Sequence, residues 1–340
     1  MPNIDRIMDE INKTWGENTL RMASELEPVT CMPIGLPSLD IDLGGGILWG
    51  RTTIFSGNEA TGKTTLAYLA AHQAQLIEMP VFWLDLEKSF DAERARVFGV
   101  DPEKNFVVIR GEYAAEQVFG IVRDVLANFN KFENPNDRRV LIVVDSIALM
   151  ISEALFDKDA SSQFGGSARM INQALGVWSI KCGPNQIVLA INQLRESMKM
   201  MGDPQKMPGG EGQNYYASSI VWLRNGETLK DGTKVIGKEL KWTMKKSRSS
   251  APKEVGSASF NYATGFNYQE NIINTAIDLG LIERSGAWYL LPGTEVKVKG
   301  KEELYKRLED DVNFNSEIHD RIYKFVNVPV WDGLFPPKQD

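Results

Sequence analysis

Histidine and cysteine are nearly missing from this 340-residue chain, which holds two of each: His72 and His319, Cys31 and Cys182. So few histidines exclude a multi-histidine metal centre and leave almost no room for a histidine-based nucleophile triad. The cysteines lie far apart, outside any CxxC or Cys/His spacing, and read as free thiols of a reducing compartment. A basic excess is lacking too: 38 Lys and Arg stand against 45 Asp and Glu, for a formal charge of -7. No global positive field draws in a polyanion, so contact with nucleic acid would have to come from basic surface concentrated locally. No apolar run approaches the ~20 residues that cross a bilayer. Met1 to Asp5 also carry no basic stretch leading into an apolar core, so neither a membrane span nor a signal peptide is expected, and the chain reads as a soluble cytoplasmic protein.

What is present is a large apolar fraction, 43%, enough for one large core domain and one or two smaller appendages. Ile4, Ile7, Met8, Ile11 and Trp15 recur at helical spacing and predict a helix over Asn3 to Ala23. A leading helix this short has to bury its stripe on its own core or on a neighbouring subunit. From Gly35 to Gly265 the pattern is strand, loop and helix in repetition. Thr52–Phe55, Val81–Leu86, Val140–Val144 and Ile187–Ile191 are apolar runs of strand length, with helical stretches at Thr64–Leu76, Ala114–Phe129 and Ala168–Ile180. Alternation of this kind predicts a mostly parallel sheet covered on both faces. Two segments break it, Phe156–Gly166 and Glu196–Gly212, polar and glycine-rich, the second holding Met198, Met200, Met201 and Met207. Both follow buried strands, and long loops in compact domains are usually functional. Beyond Gly265 the composition changes to a small α/β piece around Trp288 and Tyr289, then charged helical sequence from Lys301 to Phe325 and a proline-rich tail.

The strongest motif runs Gly57-Asn58-Glu59-Ala60-Thr61-Gly62-Lys63-Thr64 and matches GxxxxGK[ST] between a strand and a helix. Its glycines let backbone N–H groups close around phosphates, Lys63 supplies a point charge to the outer ones, and the Thr64 hydroxyl suits Mg²⁺. An ordinary glycine turn does not need this full pattern in this setting. Asp145, at the tip of the Leu141–Val144 run, fits the second metal-orienting position; alone it would read as a cap or turn residue. Asp85 and Glu87 end the second strand, and strand alternation sets them on one side. Glu87 is the candidate that activates water. Gln193, after Asn192 at the end of the next strand, reads equally as a sensor of the γ-phosphate or as a polar residue leaving the sheet.

These residues resemble the bacterial RecA recombinase family through nearly the whole chain. The landmarks are Ile11-Asn12-Lys13-Thr14-Trp15-Gly16, Gly35-Leu36-Pro37-Ser38-Leu39-Asp40, the phosphate loop, and Leu84-Asp85-Leu86-Glu87 with Asp91. They continue through Val143-Val144-Asp145-Ser146, Ala168-Arg169-Met170, Ile191-Asn192-Gln193-Leu194-Arg195, Gly209-Gly210 and Gly286-Ala287-Trp288-Tyr289. The resemblance implies an α/β fold: a phosphate-loop ATPase core, an N-terminal oligomerisation helix and a small α/β C-terminal domain, divided as 1–29, 30–267 and 268–340. It implies a DNA-dependent ATPase that uses ATP and Mg²⁺ and forms a helical homo-oligomeric filament on single-stranded DNA. Homologous pairing and strand exchange with duplex DNA follow from it. Glu87 then takes the catalytic glutamate role, Gln193 the switch role, and Lys246 and Arg248 reach the neighbour's ATP. The nucleotide contacts extend from Gly57 to Thr65, with Asp91 and Arg94 near the base and Tyr262 facing the adenine from across the subunit interface. The two glycine-rich loops, about 156–166 and 195–212, become DNA-binding loops. Phe164 and Met198 are apolar wedges there, and Gly165, Arg169, Asn172, Arg195, Glu196, Ser197, Lys199, Gly209, Gly210 and Glu211 are further contacts.

The chain departs from the family pattern in places. Arg94 stands where an aromatic ring usually stacks on adenine, and Gly176 where an arginine usually contacts DNA. Arg248 replaces the more common lysine while keeping the charge. A ring helicase or packaging ATPase on the same core, and a mediator that binds nucleotide without exchanging strands, are the competing readings.

Overall fold

The continuous apolar runs become the inner strands of one nine-stranded sheet in the computed structural model. The structure describes residues 4–17, 19–26, 29–153, 166–196, 205–249, 255–291, 294 and 297–325. In chain order the first half runs α1 (Ile4–Trp15), β1 (Cys31–Met32), α2 (Pro37–Asp42), β2 (Ile47–Leu48), β3 (Arg51–Gly57), α3 (Lys63–Leu76), β4 (Val81–Asp85), α4 (Ala92–Val97), β5 (Phe106–Ile109), α5 (Ala115–Phe129) and β6 (Val140–Asp145). The second half runs α6 (Gly166–Lys181), β7 (Gln186–Gln193), β8 (Arg195–Glu196), β9 (Gln205–Lys206), α7 (Gln213–Tyr216), β10 (Ser219–Asp231), β11 (Lys234–Lys246), β12 (Gly256–Asn261) and β13 (Gly265–Phe266). Then follow α8 (Tyr268–Asp278), β14 (Glu283–Ser285), β15 (Trp288–Leu290), β16 (Lys297–Lys299), α9 (Lys301–Asp310) and α10 (Val312–Tyr323).

The large sheet has the order β13-β12-β11-β10-β3-β7-β6-β4-β5. It is parallel from β10 to β5, and β11, β12 and β13 add an antiparallel edge. Strand alternation divides the core into two layers. Phe55, Trp83, Leu141 and Val143 face one layer with Leu66 and Tyr68 of α3. Ile54, Leu84, Ile142 and Val144 face the other with Val118 of α5 and Trp178 of α6. Burial on both faces is why these strands read as unbroken apolar runs. Parallel strands in turn bring the ends of β3, β4, β6 and β7 to one edge of the sheet, where Gly57, Asp85, Asp145 and Gln193 lie.

Several boundaries differ from the sequence expectation. The first helix stops at Trp15, well short of Ala23, because Gly16 turns the chain with φ of +113° and the Asn12 amide group bonds the backbone of Leu20 on its return. No residue of α1 is buried; Ile4, Ile7 and Trp15 are exposed. The long hairpin β10–β11 was not expected, since its outer halves are polar and its apolar residues cluster only near the core. The helical sequence expected over Lys301–Phe325 forms two helices, divided at Asp311, whose carboxylate caps the second by accepting from Phe314 N–H at 3.0 Å.

The chain beyond β13 builds a separate three-stranded sheet, β14-β15-β16, and buries its own cluster around Ile272, Tyr289, Leu304 and Ile318. It is tied to the large domain through α2. The Tyr323 hydroxyl donates to Asp40 Oδ2 at 2.7 Å, and Asn271 bonds Ser38 through its amide and its carbonyl oxygen. Among the described residues, no helix is long and apolar enough to cross a membrane.

Candidate nucleotide site and nucleic-acid surface

A cleft of about 540 Å³ opens over the phosphate loop. The loop keeps its glycines for steric reasons. Gly62 has a φ of +84°, and a Cβ on Gly57 would sit 2.3 Å from Thr61 Oγ1 and 2.8 Å from the Leu223 carbonyl oxygen. The loop is internally braced, with Thr61 Oγ1 and Lys63 Nζ both donating to the Asn58 carbonyl, at 2.8 and 2.7 Å. α3 begins at Lys63, so the first free N–H groups of the helix and its positive dipole end face the cleft, a ready site for phosphate. Burial lowers the Lys63 ammonium pKa from its ordinary value, and the carboxylates of Glu87, Asp145 and Glu59 oppose that shift.

Thr64 and Asp145 meet from α3 and β6: Thr64 Oγ1 donates to Asp145 Oδ2 at 3.1 Å. Burial, and then the nearby charge of Glu87, push the Asp145 carboxyl up to about 7. Its other oxygen, Oδ1, is buried without a hydrogen-bond partner. A buried carboxylate left short of donors beside a threonine hydroxyl is the donor set a divalent cation takes. The residues present therefore fit a metal at this point. No group of three or more His, Cys, Asp or Glu side chains forms a protein-only metal cage among the described residues.

Glu87 and Gln193 converge from two different strand ends. Glu87 Oε1 accepts from Gln193 Nε2 at 2.9 Å and from the Ser146 hydroxyl at 2.6 Å. Both Glu87 and Gln193 line the cleft with Lys63 and Thr64. Asp85 does not join them. β4 ends at Asp85, so alternation does not carry on to Glu87, and the two carboxylates diverge. Asp85 is fully buried, pairs with Arg110 at 2.6 Å, and accepts from the N–H groups of Ser89 and Phe90. It braces the turn after β4. Ser146, Arg110 and Lys238 were not identified as site residues from sequence. Ser146 had a signal, its place directly after Asp145; Lys238 had none, because it arrives on the hairpin.

The cleft is also lined by Tyr68, Arg94, Lys238, Phe260, Tyr262 and Phe266, so Tyr262 lies at this chain's own cleft and not only at a neighbour's, and Lys238 sits against the phosphate loop, donating to the Ala60 carbonyl. Asp91 does not line it; its Oδ1 caps α4 by accepting from Glu93 N–H at 2.9 Å and Arg94 N–H at 3.2 Å. Lys246 and Arg248 are also absent from the lining. They lean on carbonyl oxygens that end α7, Lys246 on that of Asn214 and Arg248 on that of Tyr215 at 3.2 Å.

Of the expected DNA contacts, Phe164, Gly165, Ser197, Met198 and Lys199 lie outside the described residues, as does most of the first loop; Glu196 is described only in its backbone. The second loop has more structure than its composition suggests. β8 and β9 pair antiparallel at its base, Arg195 opposite Lys206. Met207 is half-buried against the core and accepts from the Ser56 hydroxyl at 3.1 Å, so this methionine packs inward. Arg169, on α6, and Arg195, at the start of the second loop, are both exposed. Gly209 and Gly210 have φ of +101° and +70°, and Asn172 of α6 packs against the backbone at Gly212, which follows Glu211. β7 grips this turn directly: Asn192 Nδ2 donates to the Pro208 carbonyl at 3.1 Å and to Gln213 Oε1 at 2.8 Å. At Gly176 a Cβ would meet the Tyr216 ring at 3.2 Å, so a side chain there would displace that ring.

Comparison with known proteins agrees with this geometry. The family model for the RecA N-terminal domain matches residues 2–267, and that for the RecA C-terminal domain matches residues 270–327. "Protein RecA" of Streptomyces rimosus is 31% identical over 335 residues, covering 96% of this chain and 86% of the relative. "Protein RecA" of Mycolicibacterium smegmatis is 30% identical over 333 residues, covering 96% and 92%. The same protein of Mycobacterium ulcerans is 29% identical over 346 residues, covering 99% and 97%. The chain belongs to the RecA family: it is a DNA-dependent ATPase that forms a filament on single-stranded DNA and catalyses homologous pairing and strand exchange.

Proposed function

We propose that each protomer carries an ATP site completed by its neighbour, and that Glu87 is the residue that activates water for hydrolysis. The observation that carries this is the placement of Glu87 at the open edge of the phosphate-loop cleft, where Ser146 and Gln193 hold one of its oxygens. A carboxylate fixed by two donors keeps its second oxygen free to accept a proton from water in line with the terminal phosphate. The backbone N–H groups from Gly57 to Gly62 and Lys63 hold the triphosphate, with Thr64 and Thr65 at the start of α3. Thr64 and Asp145 hold Mg²⁺. When bound, Mg²⁺ neutralises charge on the phosphate oxygens.

Lys246 and Arg248 serve the ATP of the adjacent protomer, since their own cleft does not include them. The apolar stripe of α1, exposed in the single chain, docks on that neighbour. The DNA lies along Arg169, Asn172, Arg195 and the backbone from Gly209 to Glu211, with Phe164 and Met198 as wedges between base steps. Gln193 links the two activities: its side chain touches Glu87, and its neighbour Asn192 grips Pro208 beside the glycine turn. The boundaries at 29 and 267 divide a docking segment, the ATPase core and the C-terminal domain, and the protein works in the cytoplasm.

The test is hydrolysis and strand exchange together. ATP turnover should rise strongly with single-stranded DNA, and homologous strands should exchange with ATP and Mg²⁺. Hydrolysis indifferent to DNA across salt conditions would rule the reading out.

A further inference from the structure

The second loop meets the sheet edge at a point that the Glu87 and Gln193 side chains do not occupy. Ser56 directly precedes Gly57, the first residue of the phosphate loop. In the parallel register it lies between Asn192 of β7 and Trp222 of β10, so the three side chains share one face of the sheet. Ser56 and Asn192 are fully buried, and each holds one of two consecutive residues at the exit of the second loop. The Ser56 hydroxyl donates to Met207 Sδ at 3.1 Å, and Asn192 Nδ2 donates to the Pro208 carbonyl at 3.1 Å. Met207 packs into the core layer that contains Trp222. The entry of the loop is tied to the same strand, because Leu194 N–H donates to the Gly57 carbonyl at 3.1 Å. The strand that leads into the phosphate loop thus holds both ends of the second loop.

The turn after Gly57 leaves little slack. It packs so closely that a Cβ on Gly57 would strike both Thr61 Oγ1 and the Leu223 backbone of β10. Lys63 Nζ donates to the carbonyl of Asn58, the next residue. A phosphate oxygen is a stronger acceptor for an ammonium than a neutral carbonyl, so Lys63 exchanges Asn58 for the nucleotide and the turn re-forms around it. Close-packed contacts respond by switching between discrete arrangements, not by stretching. The change at Gly57 therefore reaches Leu194 and, through Ser56, Met207.

We propose that Ser56 and Met207 are positioning residues that couple occupancy of the phosphate loop to the second loop, along a line separate from the Glu87–Gln193 bond. This rests on the reading of the cleft as the ATP site and of the second loop as a DNA contact. Gln193 answers to the terminal phosphate, whereas the Ser56–Met207 contact answers to the loop that encloses the others. A thioether is a weak acceptor, so the contact joins packing to a modest bond and is exchanged at low cost.

The experiment measures the affinity of the full chain for a labelled oligothymidylate at fixed salt. It is read with and without Mg²⁺ and an ATP analogue carrying a β,γ-imido bridge. The ratio of the two affinities is the coupling factor, and linkage requires DNA to raise nucleotide affinity by the same factor. Ser56→Ala and the volume-conserving Met207→Leu should each lower it by about twofold to thirtyfold, with DNA affinity in the absence of nucleotide near the parent value. Together they should lose no more than the larger single effect, since either one removes the same contact. Added to Gln193→Ala, Met207→Leu should lower the factor by as much as it does alone. An unchanged factor in both single variants overturns the proposal. So does an equal fall in DNA affinity with and without nucleotide, the mark of a merely structural contact. No further loss in the Gln193→Ala background also overturns it, by placing Met207 on the Gln193 line. A parent chain whose DNA affinity ignores the triphosphate overturns the proposed function itself, whereas a coupled parent with unaffected variants overturns only the role of this contact.

Discussion

Gln193 Nε2 donates to Glu87 Oε1 at 2.9 Å, joining the end of β7 to the residue just past β4 across the intervening strand β6. The bond connects the carboxylate of the cleft to a strand whose adjacent residue, Asn192, holds the Pro208 turn of the second loop. A terminal phosphate competing for the Gln193 amide would therefore act on both.

Glu87→Gln removes the proton acceptor while keeping size and hydrogen-bonding capacity. ATP and DNA binding should persist while turnover falls by about 10²–10⁴, leaving long-lived filaments. Single-turnover hydrolysis and electron microscopy of filament lifetime are the measurements, and near-normal turnover would remove Glu87 from the role.

Lys63→Ala deletes the cation nearest the outer phosphates. Charged hydrogen bonds contribute roughly 1.5–3 kcal/mol each, so nucleotide affinity should fall by about tenfold to a hundredfold or more. Equilibrium titration with ATP and Mg²⁺ reads this directly.

Lys246→Ala should leave nucleotide affinity of the isolated chain unchanged and reduce DNA-stimulated turnover by about 10³–10⁵, as loss of a cation supplied across an interface does. Reduced affinity in the isolated chain, measured by the same titration, would place Lys246 in its own site.

Ile7→Glu puts a charge on the exposed stripe of α1. Surface changes of this kind alter folding stability by about 0.5 kcal/mol or less, so thermal unfolding should be nearly unchanged. Self-association should be lost, as read by analytical ultracentrifugation with ATP.

The joint between the domains should titrate in two opposed ways. Burial pushes the Asp40 carboxyl up from 3.8 to about 7, and pushes His319, stacked between Tyr268 and Tyr323, down from 6.5 to about 4. Between about pH 4 and 7 the folded chain keeps the Asp40 proton that the unfolded chain releases, so this contribution to stability fades as pH rises. Between about pH 4 and 6.5 the unfolded chain binds a His319 proton that the folded chain does not, so that contribution grows as pH rises. Each slope is at most ~1.4 kcal/mol per pH unit, and they cancel over their shared window. In denaturant unfolding across that window, Asp40→Asn should become more stable with rising pH and His319→Gln less stable, while the parent stays nearly level.

The sequence by itself determined the phosphate loop, the buried strands and the acidic strand ends. Each depends on local requirements: positive φ and close approach at Gly57 and Gly62, burial on both faces for Val140–Val144, a carboxylate following it at Asp145. Tertiary structure decided which carboxylate faces the cleft. Asp85 and Glu87 are near neighbours in the chain, but Arg110, from just beyond β5, holds Asp85 while Ser146 and Gln193 hold Glu87. Those partners come from other strands, and no spacing along one segment encodes them. The same holds for Lys238, brought over the cleft by a hairpin whose polar outer half carries no periodic signal, and for Gly16, where a single residue with positive φ ended a helix that composition alone would have continued. Local chemistry is written in neighbouring residues; convergence of side chains at one sheet edge depends on strand order, and strand order is fixed only when the two core layers pack.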